Sequence, residues 1–260
     1  AGKSTTMRIL AGSLSATGGE AMVGGVDVFN DPRKVKSMVG YLPEFPPLYT
    51  DMTVRGYLLF CARIKRAQDP SAAVEKVIDQ VGLTDVAHRL IDHLSKGFRQ
   101  RVGIAQALVH SPKVLILDEP ASGLDPAQRV EIRGLVKGLS DGETTVILST
   151  HVLPEVEAIC DRVVIINKGL IVGQGSMDQL AGSGTSVNLR VARPDPALTK
   201  RLESLHDVQK VSDLGDGKYS IVAGTDVRED VARAAVDAGL LELGASRALE
   251  DTYLKLTGDA

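Results

Sequence analysis

The sequence of 260 residues contains no tryptophan and only 3% aromatic residues. A surface that stacks nucleobases needs aromatic rings, so this scarcity argues against a single-strand nucleic-acid binder. A net positive charge is also missing. The net charge of -3 gives no overall basic field to recruit a phosphate backbone. Only two cysteines occur, Cys61 and Cys160, far apart and outside any CxxC or metal-ligand spacing. That pattern excludes a disulfide framework and fits free thiols in a reducing compartment. No apolar run reaches the roughly 18 residues a bilayer-spanning helix requires. A membrane role is therefore expected to pass through a partner.

What is present is globular in character: 43% hydrophobic and 24% charged residues. Val114-Leu115-Ile116-Leu117, Thr145-Val146-Ile147-Leu148-Ser149 and Val163-Val164-Ile165-Ile166 are short apolar runs separated by helix-length stretches. Their form suits buried strands of a mostly parallel sheet in an α/β domain. Composition shifts near Leu180, and residues 181–186 (AGSGTS) read as a linker. Beyond it, strand patterns at 187–191, 208–214, 219–223 and 240–243 alternate with helical patterns at 196–205 and 227–238. This is the βαββαβ order of a small split-βαβ domain. A last short helix is expected from about Leu249 to Leu256. The expected division is thus 1–180, linker 181–186, and a small α+β accessory domain over 187–260.

Gly2-Lys3-Ser4-Thr5 follows Ala1 at the start of the chain. It matches the back half of a G-x-x-x-x-G-K-[ST] phosphate loop. In such a loop backbone N–H groups and a helix N-terminus hold phosphate oxygens. Lys3 is expected at the β- and γ-phosphates, and the Ser4 hydroxyl on Mg²⁺. The loop opens mid-motif, so an upstream segment carrying its first part is expected. Alone, this tetrapeptide is also an ordinary helix start. Leu115-Ile116-Leu117-Asp118-Glu119 adds an apolar strand that ends in two carboxylates, where open α/β sheets place ligands. Asp118 is a candidate for Mg²⁺ and Glu119 for the general base that activates water.

Three further strings narrow the class: Leu94-Ser95-Lys96-Gly97-Phe98-Arg99-Gln100, Ser122-Gly123-Leu124-Asp125-Pro126, and His151 after an apolar strand. Together with the phosphate loop they resemble the signature motif, D-loop and switch histidine of ABC ATPases, over residues 1 to about 179. The resemblance implies a P-loop NTPase fold, a RecA-like core plus a helical signature subdomain. It implies ATP and Mg²⁺ as ligands and a head-to-tail pair of subunits, here a homodimer, with each ATP shared between them. Ser95 and Gly97 of one copy would cap the γ-phosphate held on Gly2, Lys3, Ser4, Thr5 and Asp118 of the other. His151 would hold Glu119 and the water in line, and Asp125 would couple the two sites. Transmembrane permease subunits would be the partners, placing the chain peripherally on the cytoplasmic face of the membrane.

The pattern departs from the commonest form in two places. Lys96 and Phe98 replace residues of LSGGQ, while Ser95 and Gly97 remain. Glu44 stands in Gly40-Tyr41-Leu42-Pro43-Glu44 where many relatives have glutamine; it keeps an oxygen for Mg²⁺ and adds a negative charge. This string, the TVRGYL helix after it and the ending LEDTYLKLT resemble the ATPases of ABC-2 type exporters. Relatives that act on ribosomes or DNA carry two motif sets or a long coiled-coil insertion. This sequence has one set and no heptad run between Lys3 and Ser95. Glu119 and His151 together argue against a purely regulatory subunit. The substrate has no signature here.

Overall fold

The computed structural model describes residues 2–140, 144–181, 185–247, 252–253 and 256. They divide into two compact units, Gly2–Ile159 and Cys160–Ala260. The division expected at residues 181–186 falls inside the second unit.

The first unit opens with helix α1 (Lys3–Leu10), a short antiparallel pair β1 (Met22–Val23) and β2 (Val26–Asp27), and α2 (Pro32–Met38). Strand β3 (Val39–Leu42) follows, then α3 (Val54–Ile64), α4 (Pro70–Gln80), α5 (Lys96–Leu108), β4 (Val114–Asp118), α6 (Pro126–Leu139), β5 (Thr145–Ser149) and α7 (Leu153–Ile159). Strands β3, β4 and β5 form one parallel sheet in that order. Its middle strand is apolar without a break because both faces are covered. Leu115 and Leu117 enter the core shared with α3, α4, α5 and α6. Ile116 points the other way, among Met7, Val28, Val35 and Val39. Close approach requires glycine at position 40, where a Cβ would lie 2.2 Å from the Ala107 carbonyl oxygen. This lets β3 pack directly on the end of α5. Arg99 and Arg101 of α5 are used within the chain, on the carbonyls of Leu94 and Val81 and on Glu131.

The second unit contains β6 (Arg162–Asn167), β7 (Leu170–Ser176), α8 (Met177–Ala181), β8 (Thr185–Val191), α9 (Pro196–Glu203), β9 (Val208–Gly215), β10 (Lys218–Ala223), α10 (Arg228–Ala235) and β11 (Leu240–Arg247). The apolar run at 163–166 is not a parallel strand. It pairs antiparallel with β7. The reason is local: Lys168 and Gly169 both take positive φ, and a two-residue turn of that kind closes a hairpin. The other four strands form an antiparallel sheet ordered β11-β8-β10-β9. Val187, Leu189, Tyr219 and Ile221 are buried with Leu198, Leu202 and Val231 of the two helices. This is the split-βαβ arrangement expected from the element order. The expected terminal helix lies largely outside the described residues; Thr252, Tyr253 and Leu256 are helical.

His110, just past α5, ties that helix to the sheet: its Nε2 lies 3.2 Å from the Val39 carbonyl oxygen. Burial, with the Lys65 ammonium nearby, pushes its pKa from 6.5 down to about 4. The native state therefore holds a neutral ring that the unfolded chain would protonate below pH 6.5. The stability this contributes is full above about 6.5 and is lost as pH falls towards 4. Denaturant titrations should show His110→Gln, which keeps an N–H donor, gaining on the parent protein between pH 7 and pH 5. An unchanged difference across that range would refute the assignment.

Candidate functional site

Helix α1 begins after Gly2, whose φ of 106° lies in the left-handed region that favours glycine. Helices α2 to α6 are each capped by a side chain: Asp31, Thr53, Asp69, Ser95 and Asp125. Helix α1 has no side-chain cap and no acidic residue in its first turn. Its leading N–H groups thus keep the positive end of the helix dipole open to an anion. Lys3 is half-buried at this end and Thr5 is exposed.

The parallel register sets the opposite wall. Leu42 pairs with Leu117, and Asp118 with Ser149. Glu44, Asp118, Glu119, Ser149 and His151 therefore all lie at or just past the carboxyl ends of β3, β4 and β5. Asp118 is 3% exposed. A buried carboxylate needs donors, and two hydroxyls supply them on one oxygen. Ser4 Oγ donates to Asp118 Oδ1 at 3.1 Å, and Ser149 Oγ donates to the same atom. Ser4 and Asp118 offer the hard oxygen ligands that Mg²⁺ takes. Glu44 sits in the bend after β3, half-buried, and makes no hydrogen bond to either. Among the described residues no three His, Cys, Asp or Glu side chains converge as a metal cluster. A cation here would draw its remaining ligands from water and phosphate.

Glu119 takes a φ of 48°, uncommon for a non-glycine residue. Its N–H is held by Ser149 twice, by the carbonyl at 3.1 Å and by Oγ at 3.0 Å. Its carboxylate oxygens lie 3.0 and 2.9 Å from His151 Nδ1. An ionised carboxylate only accepts, so Nδ1 carries the proton in this pair and Nε2 is left to face elsewhere. The neighbouring Thr150 accepts from the Val152 N–H at 3.1 Å and donates to the buried Glu155 at 3.0 Å, bracing the turn that carries His151.

Ser95, Gly97 and Asp125 form a separate group. Ser95 caps α5 through a long 3.4 Å contact to the Phe98 N–H. Asp125 caps α6 at 2.9 Å from the Gln128 N–H. A Cβ on Gly97 would stand 3.1 Å from the Gln128 carboxamide, so the first turns of the two helices touch. Lys96 reaches across to Gly123, where a Cβ would stand 2.0 Å from its Nζ. Among the described residues no hydrogen bond joins Ser95, Gly97 or Asp125 themselves to Ser4, Asp118, Glu119 or His151; the turn before α6 is tied to the strand tip by the Ser122 N–H, which donates to the Glu119 carbonyl oxygen at 3.0 Å.

The family model described as ABC transporter matches residues 1–122. The chain is 34% identical over 261 residues to the ABC transporter ATP-binding protein YdbJ of Bacillus subtilis, covering 98% of this chain and 83% of that one. It is 31% identical to the bacitracin transport ATP-binding protein BcrA of Bacillus licheniformis, covering 99% and 85%. This chain belongs to the ABC transporter ATP-binding proteins. With YxlF of Bacillus subtilis, another ABC transporter ATP-binding protein, it shares 38% identity over 185 residues, 69% of this chain but only 60% of that protein. A solved structure of the ATP-binding subunit of an ABC transporter superposes with a TM-score of 0.60 at 28% identity, over 69% of this chain and 75% of that one.

Sequence reasoning passed over Ser149, Thr150 and Glu155 in this ABC domain. The available signal was register: once β4 and β5 are parallel neighbours, the last residue of β5 must face Asp118. Gly123→Ala offers a direct check of the second group. The substitution forces a Cβ onto Lys96 and into left-handed backbone at φ 66°. It should cost about 1–2 kcal/mol of stability by denaturant unfolding. Because Lys96 Nζ is the end of a flexible side chain and can swing aside, the loss comes from the backbone conformation and should persist in a Lys96→Ala background. Recovery of the loss in that background would show that the clash, not the backbone, sets it.

Proposed function

We propose that this chain is the ATP-hydrolysing subunit of an ABC exporter, working as a head-to-tail homodimer on separate permease subunits at the cytoplasmic face of the membrane. The observation that carries the reading is the pairing at one sheet edge: Ser4 on Asp118, and His151 on Glu119. Gly2, Lys3, Ser4 and Thr5 would bind the ATP phosphates. Ser4 and Asp118, with Glu44 on the same edge, would hold Mg²⁺, which when bound supplies positive charge against the γ-phosphate. Glu119 would take a proton from the attacking water, with His151 fixing its carboxylate. Ser95 and Gly97 make no bond to this edge within one chain, which supports a γ-phosphate contact supplied by the second copy. Asp125, at the start of α6, would couple the two sites.

A permease partner is supported by exposed apolar residues on the first unit. Phe45 is 82% exposed and Ile64 62% exposed. Tyr49 is exposed as well, its ring 5.6 Å from Phe60 and 5.8 Å from Tyr57. Exposed apolar clusters such as Tyr49 with Phe60 mark protein interfaces. Export, rather than import, is supported by the likeness to BcrA and to the linearmycin resistance ATP-binding protein LnrL of Bacillus subtilis.

Glu119→Gln in the full-length protein should abolish turnover, by about 10²-fold or more, and accumulate an ATP-bound dimer on size exclusion. Steady-state turnover at the parent rate would remove Glu119 as the base. Ile64→Glu should leave basal turnover unchanged and abolish co-purification with the permease encoded beside it. Retained co-purification would place the permease elsewhere.

A further inference from the structure

Ser149 belongs to no motif string, yet its hydroxyl bonds to both carboxylate residues of the site. It donates its one proton to Asp118 Oδ1 and accepts from the Glu119 N–H at 3.0 Å. The residue is 2% exposed, so water cannot replace either bond cheaply. Its position is set by strand pairing, opposite Asp118 in the β4–β5 register. Ser4, the other donor to Oδ1, is on an exposed helix start at the phosphate end. The two donors differ in kind: Ser4 belongs to the nucleotide side and Ser149 to the sheet. Glu119 leaves β4 with a φ of 48°. A conformation of that cost persists where surrounding bonds hold it, and its N–H is held by Ser149 alone, through Oγ and the main-chain carbonyl.

We propose that Ser149 is a positioning residue for hydrolysis, a single buried hydroxyl that fixes the cation-facing carboxylate of Asp118 relative to the backbone of Glu119. The inference rests on the roles given to Asp118 and Glu119 above. It explains how a base and a metal-binding group on adjacent residues stay in one arrangement although their side chains serve different atoms. Removing the hydroxyl leaves Asp118 with Ser4 as donor and Glu119 with one main-chain acceptor. Nucleotide contacts through Gly2, Lys3 and Thr5 are untouched. The loss therefore falls on kcat rather than on KM, because misplacement of the base is felt in the transition state.

The test compares Ser149→Ala, Ser149→Thr and Glu119→Gln in the full-length protein, with MgATP. S149A should lower kcat by about 10- to 100-fold with KM for ATP within about threefold. S149T, which keeps the hydroxyl, should return kcat to within about threefold of the parent. In nucleotide-free protein, hydrogen exchange in a peptide spanning 118–121 should be about fivefold faster in S149A, with β3 unchanged. If S149A does not fold, Ser149→Cys, which weakens the donor while keeping the side chain's length, carries the same expectation. Turnover of S149A within twofold of the parent, or unchanged exchange at 118–121, while E119Q is inactive, overturns the role of Ser149 alone. Normal turnover in E119Q overturns the assignment of the base, and this inference with it.

Discussion

The parallel pairing of Asp118 with Ser149 is the contact on which the site depends. Asp118 is a buried carboxylate on a strand covered by apolar layers on both faces, and an unpaired charge there would cost several kcal/mol. The neighbouring strand ends in a hydroxyl at the same register and meets that need. The same pairing carries the chain beyond β5 so that His151 arrives at Glu119, one residue past Asp118. A shift of β5 by one residue would turn Ser149 to the other face of the sheet and bring an apolar side chain to the carboxylate. Register, more than any single side chain, assembles the carboxylate edge.

Helix α1 approaches this edge with its amino end open, and the contrast with the other helices explains its character. Five later helices satisfy their leading N–H groups with their own Ser, Thr or Asp. Helix α1 has glycine in that place and leaves them for a ligand. Ser4 then bridges the helix to the sheet through Asp118. The Ser95–Asp125 group is built on a different principle. Its helices are capped and packed against each other through Gly97 and Gln128, with Lys96 laid over Gly123. That closeness joins the turns before α5 and α6, and the Ser122 N–H on the Glu119 carbonyl oxygen ties them to the carboxylate edge.

Much of this fold is legible in the sequence. The unbroken apolar run ending in Asp118-Glu119 announced a doubly covered strand with two carboxylates at its tip, and Gly2-Lys3-Ser4 announced a helix start. The βαββαβ order of the second unit followed from strand and helix periods, since each segment is long enough to show its own. One reading is overturned for a physical reason. Residues 163–166 have the composition of a buried parallel strand, but Lys168-Gly169 folds them back into a hairpin, and a turn's handedness outweighs apolar content. Residues 39–42 are too few to show a period, and only pairing with β4 makes them a strand.

The sequence by itself determined which residue types stand at the start of α1, the tip of β4, the Ser95 turn and position 151, and the spacings between them. It also determined the family, through the joint occurrence of those strings in one order. Only the tertiary structure decided which of them meet. Ser4 lies more than a hundred positions from Asp118, and His151 and Ser149 lie thirty or so from the carboxylates they touch. Contacts over such separations are set by strand register and helix packing, which a linear pattern does not encode. For the same reason Ser149 is invisible as a string and conspicuous in space: an ordinary serine becomes particular when the fold buries it between two carboxylate residues.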